Sequence, residues 1–137
     1  MNFLQILEKI RKNLRLLSSK IELKNSVENI IEVLKSGSNQ NKIKILETIQ
    51  NTNDLKILQE IISRLNDDSI QVRGEAFNAL LLNKNEITKI LIENLNSTNK
   101  NIKGFTSLVL ANRNEKSAIP EIKKLVDSKH GMVRSCA

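Results

Sequence analysis

The chain has 137 residues, with 22 Lys and Arg against 15 Asp and Glu, a formal net charge of +7 and 39% hydrophobic side chains. That suits one ordinary domain with enough apolar material for a core, and it excludes a multi-domain enzyme and wholesale disorder. Three Phe without Trp or Tyr argue against recognition by stacking, one Cys excludes an internal disulfide framework, one His excludes most zinc sites, and four Gly with one Pro leave little turn chemistry for a β fold.

Along the chain, Met1–Lys9 meets charge before the apolar stretch of an export signal can form. No apolar run approaches the roughly 18 residues of a membrane span. A cytoplasmic protein without a membrane partner is therefore expected. Phe3, Leu7, Ile10, Leu14, Leu17 and Ile21 recur at alternating four- and three-residue steps, the stripe of an amphipathic helix whose wetter side carries Arg11, Lys12 and Arg15. Fewer than three heptads do not sustain a coiled coil alone, so this helix over 1–21 is expected to pack as a terminal layer on the next unit. Val27, Ile30, Ile31 and Leu34 mark a second helix, stopped at Lys35–Asn39, where Gly and small polar residues favour termination. Further helices follow on Ile45, Leu46 and Ile49, on Leu55–Leu65, on Val72–Leu80, on Ile87–Leu95 and on Ile102–Leu110. The eighth stripe, Ile119–Val126, holds Pro120 in a first turn, where its missing N–H costs nothing. No stretch alternates with period two. The expected fold is all-α. Asn, Ile and Lys are abundant, as in the product of an AT-rich genome, and the scattered Asn residues read as compositional.

Three stretches superpose. Each has an apolar helix, a short Asn/Asp/Ser turn, and a second helix opened by a β-branched residue and a cation: Val72-Arg73, Ile102-Lys103 and Val133-Arg134. The units are 54–83, 84–114 and 115–137, with 22–52 as a degenerate earlier pair. These residues resemble HEAT repeats in the short form described for phycocyanobilin lyases. Ala118-Ile119-Pro120, Asp127 and Val133-Arg134-Ser135-Cys136-Ala137 match that pattern, as do Asp67, Asp68 and Val72-Arg73-Gly74-Glu75-Ala76. The middle unit departs from it, with Lys103 and Thr106. The resemblance implies an α-α superhelix, a solenoid of about four helix pairs, with binding along the concave face of the second helices. It says little of function. Ala137 falls a few residues into the last second helix. Repeat arrays normally end on a polar cap, so the natural chain is expected to continue, or the open end to dock on another copy.

Arg73, Lys103 and Arg134 recur at repeat spacing. A phosphate-binding stripe is one reading; in the resembled family the position is structural, and cations here are expected to bond turn carbonyls and Asp67, Asp68 or Asp127. His130 has only Asp127 as a neighbouring ligand type, and Cys136 has no His or second Cys beside it, so neither metal nor catalytic chemistry is expected. No phosphate loop or nucleophile elbow occurs, and no cofactor is expected. The candidate partner-binding residues are Gln71, Glu75 and Asn78 with Asn101, Phe105 and Leu108 one repeat later. Phe105 and Leu108 are either an exposed anchor or packing for the neighbouring unit. A non-catalytic scaffold that binds a protein is the leading expectation. Nucleic-acid binding through the basic ends comes second, because residues 45–99 are net acidic and interrupt any positive track. A bilin-lyase-like role in chromophore attachment rests on the resemblance alone.

Overall fold

A computed structural model describes residues 2–115 and 119–125, and no strand occurs among them. The helices are α1 Phe3–Ser36, α2 Asn39–Thr48, α3 Leu55–Ser63, α4 Ile70–Leu82, α5 Thr88–Asn94, α6 Lys100–Asn112 and α7 Ile119–Leu125, with a 3-10 turn at Arg64–Asn66. The readings placed on Asp127, His130, Arg134, Cys136 and the uncapped end lie outside the described residues.

Polar side chains open most of these helices. Asn2 and Gln5 form a reciprocal capping box, each accepting the other's backbone N–H at 2.9 Å. Ser38 caps α2, Ser69 caps α4 and Asn99 caps α6 through single side-chain bonds. Asp54 Oδ1 accepts from both Lys56 and Ile57 at the start of α3. Each bond satisfies a backbone N–H that the helix itself leaves without a partner. Asn114 ends α6 at φ 57°, the left-handed conformation that Asn tolerates better than most side chains.

Packing follows a regular order. The helices α1, α3 and α5 touch in sequence, as do α2, α4 and α6, while α3 pairs with α4 and α5 with α6. One continuous core results, running from Leu34 and Leu46 through Leu58, Ile62, Leu65, Val72 and Leu80 to Leu91, Val109 and Leu110. Ala76 and Ala79 are fully buried within it. Their small side chains let α4 approach its neighbours closely. Ile122 of α7 also reaches this core.

The first helix departs from expectation. Helices over 1–21 and 27–34 are one uninterrupted α1, because the residues between them include no Pro or Gly and several good helix formers. Only its C-terminal part joins the core, through Val27, Ile30, Ile31 and Leu34. The stripe expected to pack as a terminal layer stays in solvent, with Phe3 73%, Leu14 60% and Leu17 55% exposed.

A buried ion cluster ties α2 to the turn before α4. Lys42 Nζ donates to Asp67 Oδ2 at 2.9 Å, Arg64 Nη1 donates to the same oxygen at 3.1 Å, and the Ser69 N–H donates to Oδ1 at 2.9 Å. Arg64 also reaches Glu60 at 3.4 Å. Burial raises the Asp67 carboxyl pKa; the Lys42 and Ser69 hydrogen bonds and the Lys42 and Arg64 charges together outweigh it, so the net value lies below 3.8. Removing one member strands the others, since a buried cation without its anion is destabilising. Asp67→Ala should therefore cost about 3 kcal/mol in urea unfolding near neutral pH. That cost is complete above the ordinary carboxylate value and should shrink as pH falls from there through the lower folded value, because the wild type then loses the same charge. Matched urea titrations of both proteins across acid pH check this.

Candidate interaction groove between two helices

The second helices of two successive pairs leave a groove between them. Its walls are Ile70, Arg73, Phe77 and Asn78 of α4 and Asn101, Phe105 and Leu108 of α6, over Gly74, around a volume of about 630 Å³. On α4 these positions recur at helical spacing and share a face, as Asn101, Phe105 and Leu108 do on α6. Ile70 is 76% exposed at the rim. Phe77 and Phe105 are half-buried, each packing one side on the core and turning the other to the groove. A Cβ at Gly74 would meet nothing within 4 Å. Alanine would fit there and would hold a helix better by roughly 1 kcal/mol, so the open floor costs some helix stability.

Four of the six residues expected to bind a partner line this groove: Asn78, Asn101, Phe105 and Leu108. Gln71 and Glu75 do not. On α4 the flank that meets α6 carries Ile70, Arg73, Phe77 and Asn78 rather than Gln71 and Glu75. Phe105 combines both alternatives left open by the sequence, since it packs on the core and also faces the groove.

The cationic ladder is placed differently from expectation. Arg73 lines the groove, and among the described residues neither Arg73 nor Lys103 donates to Asp67, Asp68 or a turn carbonyl. Asp67 is served instead by Lys42, which approaches from α2, by Arg64, three residues away on the 3-10 turn, and by the Ser69 N–H. The guanidinium that does bind turn carbonyls is Arg113. It donates from Nη1 to the carbonyls of Leu80 and Asn83 and from Nη2 to that of Asn85, with Glu115 holding its Nε at 3.1 Å. Asn114 in its left-handed conformation sets Arg113 and Glu115 on either side of the bend.

Several Asn residues read as compositional pin one unit to the next. Asn83 Nδ2 donates to the Thr52 carbonyl and Asn85 Nδ2 to that of Asn51, both at 2.7 Å, while Asn51 Oδ1 accepts from the Lys84 N–H. Asn101 Nδ2 donates to Asn66 Oδ1, and Gln59 and Asn94 exchange paired amide bonds at 3.0 and 3.1 Å. Their partners lie 31 to 35 residues away along the chain. No spacing in the sequence marks them, because the paired residues do not occupy equivalent positions of the two segments.

Among the described residues no group of His, Cys, Asp and Glu could hold a metal, and no helix is long and apolar enough to cross a membrane. No protein-family model and no curated protein matches the chain. The two cations should separate in stability: Arg113→Ala, which strands three carbonyls and Glu115, is expected to cost about 2 kcal/mol, and Arg73→Ala to stay within about 0.5 kcal/mol. Thermal melts of both variants check this.

Proposed function

We propose that the chain is a short HEAT-like α-solenoid, a non-catalytic scaffold that binds a segment of a partner protein in the groove between α4 and α6. The solenoid reading is supported by the order of contacts, α1 to α3 to α5 and α2 to α4 to α6. Binding is carried by one observation: Ile70, Phe77, Phe105 and Leu108 wall an open floor at Gly74, with Asn78, Asn101 and Arg73 at hand as polar partners. Apolar anchors beside a few polar groups are the composition of an interface centre. The opening suits a large apolar side chain from an extended or helical segment, its backbone held by the two amides.

The net charge of +7 favours a second reading, nucleic-acid binding through the basic segments that flank the acidic middle. The two readings separate experimentally. A photo-crosslinking residue at position 78, irradiated in cells that make the protein, should give a discrete protein adduct. That adduct should disappear when Ile70→Glu and Leu108→Glu are added to a chain that still melts as the wild type does. No adduct, or one indifferent to those substitutions, contradicts groove binding. Affinity for labelled DNA or RNA that falls steeply between about 50 and 200 mM salt and ignores the groove variants would favour the second reading instead.

A further inference from the structure

Among the described residues, the N-terminal part of α1 carries most of the large apolar side chains that the core leaves exposed. Phe3, Ile6, Ile10, Leu14, Leu17 and Ile21 expose between 43% and 73% of their surface. At about 100° per residue they share one arc of the helix. That arc lies roughly 120° around the axis from the face that Val27, Ile30, Ile31 and Leu34 turn to the core. The stripe is therefore not a frayed continuation of the buried one. A straight α1 aims it away from the domain, and no rotation of the helix buries both.

Charge identifies what would cover it. Residues 2–21 hold five cations and one acid, Glu8. Arg11 and Arg15 flank the apolar arc on one side and Lys9 and Lys20 on the other. Pairing this stripe with a second copy of itself would set these cations beside one another, with Glu8, on the side of Arg11 and Arg15, the one acid within residues 2–21 to offset five cations. A nucleic acid would neutralise the cations and leave the apolar arc in water. A surface that is apolar beneath and anionic above satisfies both: long Lys and Arg stems reach outward to headgroups while the arc sinks to the acyl boundary.

We propose that residues 2–21 form an amphipathic arm that lies in the surface of an anionic lipid bilayer and carries the helical domain beside it. The arm is about 30 Å long, it is capped at its start by Asn2 and Gln5, and it continues as one helix into the core at Val27, so binding would fix the domain's position relative to the surface. This surface is separate from the groove and stands whether or not the groove binds a protein.

Flotation of the full chain with vesicles tests it, using phosphatidylcholine alone and phosphatidylcholine with about one-third phosphatidylglycerol, each at about 0.1 M and 1 M salt. Binding is expected to the anionic vesicles, weaker in high salt. It should fall about tenfold or more with Leu14→Glu and, separately, with Arg11→Glu plus Lys20→Glu. All three positions are solvent-exposed outside the core, so both variants should melt as the wild type does. Absence of binding to anionic vesicles overturns the proposal, as does equal binding by either variant or equal binding to neutral vesicles. Sedimentation equilibrium is run alongside: a stable dimer that Leu14→Glu dissociates, with no vesicle binding, would assign the stripe to self-pairing instead.

Discussion

Among the described residues α1 to α6 share one apolar core, and that sharing organises the rest. The pairs α3–α4 and α5–α6 contact each other as well as the helices before them, and their buried apolar residues belong to one cluster. The outcome is a single core that passes from Leu34 to Leu110. At the N-terminal side the same rule operates through α1, whose last turns cover α3 while its earlier turns have nothing to cover.

Polar groups then decide how the pairs sit. Apolar stripes are forgiving in register, whereas hydrogen bonds are not. The Asp67 carboxylate, held by Lys42, Arg64 and the Ser69 N–H, allows α2 one position against the turn before α4. At the other end of the pairs, Arg113 and the amides of Asn51, Asn83 and Asn85 hold successive loops together. Between them, the Gln59–Asn94 and Asn66–Asn101 bonds repeat the same theme on the helices themselves. The groove between α4 and α6 lies beside these bonds, with Phe77 and Phe105 packed partly on the core and partly facing the groove.

Apolar periodicity made the all-α character and most helix positions legible, because burial of a stripe at helical spacing has few other solutions. Ser69 and Asn99 mark helix starts in the sequence for the same reason that they cap them in the structure. The continuity of α1 was hidden, since a change in the face of the stripe between Ile21 and Val27 looks like a break although every residue there accepts a helix. The roles of Arg73 and Arg113 were exchanged: repeat spacing drew attention to Arg73, while Arg113, at the end of α6, is the residue that donates to carbonyls of the preceding loop. Four groove residues were legible from a helical wheel, and Ile70, Arg73, Gly74 and Phe77 were not, because a wheel shows one helix and a groove needs the flanks of two.

The central claim is that the core from Leu34 to Leu110 is one cooperative unit and that α1 before Val27 stands outside it. Amide hydrogen exchange in dilute solution, followed residue by residue, tests this most directly. Amides of α3, α4 and α6 are expected to share slow exchange close to that of global unfolding, and those of residues 6–20 to exchange orders of magnitude faster, as in a helix without tertiary cover. Protection of residues 6–20 equal to that of α4, or separate exchange classes for α4 and α6, would contradict it.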